Sequence, residues 1–348
     1  MSFLIYGANG YTAELIARLA RERGLRPILA GRSAGPVSAV ASRLGFEHRI
    51  FGLDDAGALD AGLAGARVVL HCAGPFSRTA RPMADACLRT GTHYLDITGE
   101  VTVFELLAAR DAQAKAAGVM LLPGAGFDVV PSDCLAAHLK SRLPSAIRLS
   151  LGFQAVGRRS RGTATTMAEN LHRGGVVRRG GVLTAVPAAF KTRVIDFGRG
   201  PRAAMTIPWG DVSTAYYSTG IPDIEVYMPA PWRLRVLARI AQGLAPVTAS
   251  GLVQGLVKRR IRSGPAGPTD EERARSASFL WGEVEDAGGQ RRVSRLRAPE
   301  GYTLTALTAV AIVERVQKGE APPGFVTPSR AYGKDFILEI PGTSRTDE

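Results

Sequence analysis

Apolar and polar positions alternate in two different ways along this chain. Over the first 125 or so residues, short apolar runs are separated by segments with helical spacing. The runs "FLIYG" (3–7), "RPILAGR" (26–32), "FEHRIFGL" (46–53), "ARVVLHCAG" (66–74), "HYLDIT" (93–98) and "GVMLLPGAG" (118–126) predict strands. The segments 11–23, 36–44, 81–91 and 103–117 predict helices, the first two stopping at Gly24 and Gly45. Strands this continuously apolar, each followed by a helix, predict an α/β Rossmann arrangement, a doubly wound parallel sheet covered on both faces.

The regularity changes after "GFDVVPSD" (126–133). Strand-like runs at 146–156, 181–190, 192–198, 203–209, 224–230, 277–286 and 291–298 no longer alternate with helices. An α+β second domain with a mainly antiparallel sheet is the simplest account. Residues 302–316 then predict a helix closed by Gly319 and Pro322.

One apolar stretch stands apart. Residues 240–257 carry no charge, with Arg233, Arg235 and Arg239 before them and "KRRIR" after. Pro246 and the glycines argue against a membrane-spanning helix. Amphipathic packing against protein is the first reading, and contact of 233–262 with a membrane surface is the alternative.

Charge adds a bias toward anionic partners. The 348 residues carry a formal net charge of +13. Between Lys140 and Arg202, thirteen Lys/Arg face two acids, Glu169 and Asp196. That stretch suits a phosphopantetheine arm, an acidic carrier or an anionic membrane, or is a solvated arginine-rich surface. It lacks interleaved aromatics and any recognition module, so no nucleic acid is expected. The three cysteines, Cys72, Cys87 and Cys134, form no CxxC pair, which fits a reducing cytoplasm without disulfides. The five histidines do not cluster with acids, so no metal is expected. Strand-like residues begin at position 3, and no secretory leader is expected.

Candidate chemistry begins at the first strand–turn–helix, "FLIYGANGYTAELIARLA". A dinucleotide needs a tight turn, a close backbone approach and a helix N-terminus aimed at the pyrophosphate. Gly7 suits the turn and Gly10 the approach, with Ala8, Asn9, Tyr11 and Thr12 around them. Ala13 takes the third small position of a G-x-x-G-x-x-A pattern. The second strand ends in Arg32 and Ser33, not in the acid that would hold an unmodified ribose. A guanidinium beside a hydroxyl suits a 2′-phosphate, so NADP(H) is expected over NAD(H). Ala73, Gly74, Pro75 and Phe76 follow the fourth strand, and Gly126 and Phe127 the sixth. In an open parallel sheet such strand ends are where a ligand lies. Asp128, Tyr94 and Ser132 are the candidate proton donors, with Asp96 and Thr98 beside Tyr94 and Thr163, Thr165 and Thr166 as further options. An acid at a strand end also reads as a helix cap, and a tyrosine in a strand as core. His71, on an apolar strand, reads as a core histidine.

"YGANGYTAELIARLA" with "LAGRS", then "HCAGPFSRTARPMADACLRTGTHYLDITGE" and "GAGFDVVPSD", resemble the saccharopine dehydrogenase-like oxidoreductases. The chain is most similar to their trans-acting enoyl reductase branch. "RGTATTMAEN", "GPAGPTDEERARSASF" and the ending "GYTLTALTAVAIVERV…PPGFVTPSRAYG" extend the resemblance in order along nearly the whole chain. Ala13 departs from a frequent family glycine, and Asn9 from a frequent threonine.

The resemblance implies an NADP-binding Rossmann domain at 1–127 and a substrate and dimerisation domain at 128–300. A helix and tail at 301–348 would return to the first domain. It implies an NADP(H)-dependent reductase acting on a C=C bond of an acyl or polyketide-like lipid, free or carrier-bound. The alternatives are reduction of a C=N bond, as in saccharopine chemistry, and a non-catalytic nucleotide-binding protein at a lipid surface. A homodimer is expected, because antiparallel sheets in such second domains often pair across a dimer.

Overall fold

The computed structural model describes residues 2–348 apart from 156, 159, 171–173 and 249. Arg159, Arg173 and the side chain of Thr166 therefore lie outside the described residues. The chain divides into two compact units. One runs up to Val130 and includes Gly301–Phe336; the other comprises Pro131–Glu300 and Ile337–Glu348.

The first unit is built on β1 (Ser2–Tyr6), β2 (Ile28–Gly31), β3 (His48–Ile50), β4 (Ala66–His71), β5 (His93–Asp96) and β6 (Met120–Leu122). All are parallel, in the order β6-β5-β4-β1-β2-β3, and Gly324–Phe325 adds a short seventh strand beside β6. This is the doubly wound order, and it reverses where β1 lies between β4 and β2. The expected alternation forms because β1, β2 and β4 are buried almost throughout, as strands covered on both faces must be.

Helices α1 (Tyr11–Glu22), α2 (Ala34–Leu44), α3 (Ala56–Leu63), α4 (Phe76–Thr90), α5 (Val101–Ala108) and α6 (Asp111–Ala116) connect these strands. The single helix expected over 103–117 is two, α5 and α6, broken at Ala109 and Arg110. The α3 helix went unpredicted in its Ala/Gly-rich sequence; it is fixed by Asp55, whose carboxylate accepts from the Ala58 N–H. The C-terminal helix Gly301–Gln317 belongs to this unit. It meets α1 through an edge-on Tyr11–Tyr302 pair at 5.2 Å and an Arg23–Glu314 ion pair at 3.0 Å.

The second unit holds a mostly antiparallel sheet of nine strands. Its main path joins Thr192–Asp196, Pro201–Thr206, Asp223–Pro229, Arg148–Ala155, Ala277–Glu285, Arg291–Pro299 and Ser344–Asp347. Gly175–Arg179 and Val182–Val186 form a side hairpin. The expectation that all of 301–348 returns to the first unit needs correction at its end. Residues 337–348 belong to the second unit, where Ser344–Asp347 pairs antiparallel with Arg291–Pro299. The polar "SRTD" of that strand gains its order from this pairing, with His138 and Ser294 both bound to Asp347.

The run 240–257 also differs from its first reading. The chain there forms Trp232–Gly243, Ala245–Thr248 and Gly251–Ser263, and its apolar residues are not packed away. Ile240, Leu244 and Leu256 are all more than half exposed.

Candidate functional site

The turn after β1 is shaped by close approach. Gly7 has φ +82°, and an added Cβ would lie 2.9 Å from the Ala73 backbone nitrogen and 2.8 Å from the Ala73 Cβ. Glycine is thus required both by backbone sign and by the turn after β4 pressing against it. The Gly7 and Ala8 N–H groups donate to the Ala30 carbonyl, and Gly10 N–H to the Gly7 carbonyl. Gly10 is then the N-cap of α1, with no side chain capping the first turn. Tyr11 and Thr12 open the helix half-buried, while Ala13 is buried beneath it and Asn9 is exposed.

Arg32 and Ser33 sit exposed just beyond β2. No ion pair engages Arg32 among the described residues, and Ser33 is the α2 N-cap without using its side chain for capping. A free guanidinium and a free hydroxyl thus flank the end of β2, as a 2′-phosphate needs.

The other strand ends are tied into one rim. Glu100 accepts from Phe76 N–H at 2.8 Å and Ser77 N–H at 3.0 Å, so its carboxylate caps α4 and links the turns after β4 and β5. Asp96 links β5 to β6. Its Oδ1 accepts from Thr98 N–H at 3.0 Å and Gly124 N–H at 2.8 Å, and its Oδ2 accepts from the Tyr94 hydroxyl at 2.7 Å. Burial pushes the Asp96 carboxyl up to about 6, and the three hydrogen bonds work against that rise.

This geometry corrects the reading of Tyr94 as a proton donor. The residue is fully buried, its hydroxyl is committed to Asp96, and burial raises its pKa well above the ordinary tyrosine range. Tyr94 braces the rim. His71 is likewise core, its pKa pushed down to about 3 by burial. The Thr79 hydroxyl donates to the Ala73 carbonyl at 2.7 Å, so His71 Nε2, 2.9 Å away, must be the donor to Thr79. A neutral imidazole thereby fixes the turn that presses on Gly7.

The turn after β6 brings Gly126, Phe127 and Asp128 to the same rim. A methyl group on Gly99 would come within 2.9 Å of Asp128 Oδ2, so that carboxyl lies against the turn after β5. Asp128 is only partly covered, yet its surroundings are dry enough to push the carboxyl up to about 7. A group poised there can give or take a proton near neutral pH. Ser132 is buried in the first turn of Val130–Arg142 and belongs to the second unit.

Sequence reasoning missed the support from the C-terminal helix. Thr305 Oγ1 accepts from Phe127 N–H at 3.0 Å, and the Thr308 hydroxyl donates to the Ala125 carbonyl at 2.8 Å. A Cβ on Gly126 would meet Thr305 Cγ2 at 2.7 Å. The signal was present as two threonines one helical turn apart facing a glycine-rich loop, but only the fold shows the pairing.

Residues 3–122 match the family described as the saccharopine dehydrogenase NADP binding domain. A trans-acting enoyl reductase of Mycobacterium leprae is 36% identical over 148 residues, covering 40% of this chain and 35% of that protein. A trans-acting enoyl reductase of Mycobacterium tuberculosis is 35% identical over 143 residues, 37% of this chain and 33% of that protein. The chain thus matches about a third of the length of these relatives. The fold matches apo saccharopine dehydrogenase (L-Glu forming) of Saccharomyces cerevisiae over 100% of this chain and 99% of that one, with TM-score 0.66 and 14% identity.

Part of the basic stretch in the second unit is neutralised by ion pairs. A cleft of about 410 Å³ there is lined by Lys191, Arg193, Arg148 and Arg291 among others. Lys191 pairs with Glu225, Arg193 with Glu283, and both Arg148 and Arg291 with Glu285. Arg178 is spent on the Val212 and Gly181 carbonyls. Much of the cationic lining of this cleft is thus committed within the protein, and Arg179, also in the lining, lies over the Phe190 ring. Among the described residues, no group of histidine, cysteine and acids suits a metal ion.

Proposed function

We propose that the protein is an NADPH-dependent reductase. The close approach of Gly7 to Ala73, with the unpaired Arg32 at the end of β2, is the observation that carries this reading. In it, the glycine turn and the open first turn of α1 hold the pyrophosphate, and Arg32 with Ser33 holds the 2′-phosphate. Ala73 to Phe76 and Gly126 to Phe127 wall the nicotinamide end. Bound NADPH would supply a hydride. Asp128, with its carboxyl held near neutrality, supplies or steers the proton that a reduced substrate must gain.

The substrate class favoured is a C=C bond of an acyl or polyketide-like lipid, free or on a carrier, in line with the names of the enoyl reductases above. Hydride addition at the β-carbon of an enoyl thioester leaves an enolate, which a nearby acid completes. The competing reading is reduction of a C=N bond, with the same acid protonating nitrogen. Oxidation of NADPH by enoyl thioesters, run beside imine-forming pairs of an amino acid and a keto acid, separates the two. Turnover with the imine pair alone would replace the first reading by the second. A homodimer through the second unit belongs to the same proposal, and sedimentation velocity tests it.

A further inference from the structure

The helix Trp232–Gly243 packs the wrong way round for a soluble surface. Its inward stripe is Arg235, Ala238, Ala241 and Gln242, small or polar, while its bulky apolar residues point out. Trp232, Val236, Ile240 and Leu244 recur every four residues and are 61%, 46%, 52% and 52% exposed. That spacing lines them along one side of the helix. Leu237, 58% exposed, widens the ridge. The helix is anchored from behind, where Gln242 Oε1 accepts from Ala188 N–H at 2.7 Å and Arg239 donates to the Ala189 carbonyl at 3.1 Å. The ridge is therefore held outward by its own packing.

The following helix, Gly251–Ser263, adds Leu256, 71% exposed, and Val257, with Arg259 and Arg260 exposed after them. From Pro231 to Ser263 the sequence has no Asp or Glu and seven Lys/Arg. An apolar ridge with a tryptophan at one end, in a segment with cations and no acid of its own, has the chemistry of an element lying in a headgroup layer. No helix among the described residues is long and apolar enough to cross a membrane.

We infer that the segment from Trp232 to Ser263 is an interfacial docking element for an anionic lipid surface. The ridge enters the acyl boundary, and the arginines meet lipid phosphates. Charge complementarity selects this occupant: a second copy of the same segment would bring like charges together. The inference stands apart from the cofactor reading, since neither the glycine turn nor Arg32 takes part in it.

The test is flotation of the full-length protein with phosphatidylcholine vesicles and with vesicles containing phosphatidylglycerol. The expected result is binding to the anionic vesicles only, weakened by salt. Ile240→Glu should lower that binding by about tenfold or more, with an unchanged thermal midpoint because the side chain is outward. Arg233→Glu, also outward, should act in the same direction, and because its loss is electrostatic its gap to the parent should narrow as salt rises. Trp232 fluorescence should be quenched by brominated lipid, and the quenching should vanish in Trp232→Phe. Equal binding to both vesicle types, no binding at low salt, or unchanged binding in Ile240→Glu would overturn the inference. So would a self-associated protein in sedimentation velocity that Ile240→Glu converts to monomer, since a second copy would then cover the ridge.

Discussion

Replacing Asp128 by Asn removes one titration from the first unit and should change how stability follows pH. An ordinary Asp carboxyl ionises near 3.8, and burial in the turn after β6 pushes this one up to about 7. Between those values the folded state holds a proton that the unfolded chain has lost. Stability from this group is therefore complete below about pH 4 and is lost as pH rises toward 7, levelling above it. At about 1.4 kcal/mol per tenfold change in proton affinity, the full loss is at most about 4 kcal/mol. Partial exposure of the side chain brings the expected value to about 2–4 kcal/mol. Asn keeps the shape and hydrogen-bonding reach without the charge. Urea unfolding of both proteins from pH 4.5 to 8.5 isolates the term, because Asp96 and every other titrating group is common to both. The variant should gain on the parent steadily to about pH 7 and then run parallel to it. Parallel curves throughout would refute the raised carboxyl and with it the case for Asp128 as the acid. Under the proposed reductase reading, the same change should abolish turnover and spare NADPH binding.

Three further outcomes follow from the rim. Gly7→Ala should cost about 2 kcal/mol or more, from a left-handed backbone and overlap with Ala73, and should abolish binding of NADPH and NADH alike; calorimetric titration at a temperature where the variant is folded checks this, and retained binding would contradict the turn's role. Arg32→Ala should weaken NADPH by about 10–100-fold and NADH hardly at all, by loss of a charge-assisted phosphate contact; an equal effect on both would place the guanidinium elsewhere. Thr308→Val keeps the volume but strands the Ala125 carbonyl, so urea unfolding should show a loss of about 1–3 kcal/mol; no loss would mean the C-terminal helix does not brace the β6 turn.

The sheet of the first unit was legible because its strands are apolar runs closed by glycine turns, a local pattern. The tight glycine turn and the exposed Arg32 beyond β2 were legible for the same reason: both lie within one βαβ span. The linking role of Asp96 was not. Two of its partners, Tyr94 and Thr98, lie two residues away, but the third, Gly124, comes within reach only through the parallel pairing of β5 and β6. Glu100 is similar, since its partners lie 23 and 24 residues back, in the first turn of α4. Tyr94 misled because a strand-end tyrosine looks available in sequence, while the pleat turns it inward. The tail misled because four polar residues give no strand signal until Arg291–Pro299 offers an edge. The 232–263 region misled in the opposite sense. Apolar content implies burial in a sequence, yet here the small and polar stripe of Arg235, Ala238, Ala241 and Gln242 faces inward.

The most direct test of the central claim is a fluorescence titration of the purified protein with NADPH and, separately, with NADH. The account predicts saturable binding of NADPH, with NADH weaker by about tenfold or more because only NADPH carries the phosphate that Arg32 meets. Equal affinity for the two would contradict the role of Arg32, and binding of neither would leave Gly7 to Ala13 a turn without a cofactor and end the reductase reading.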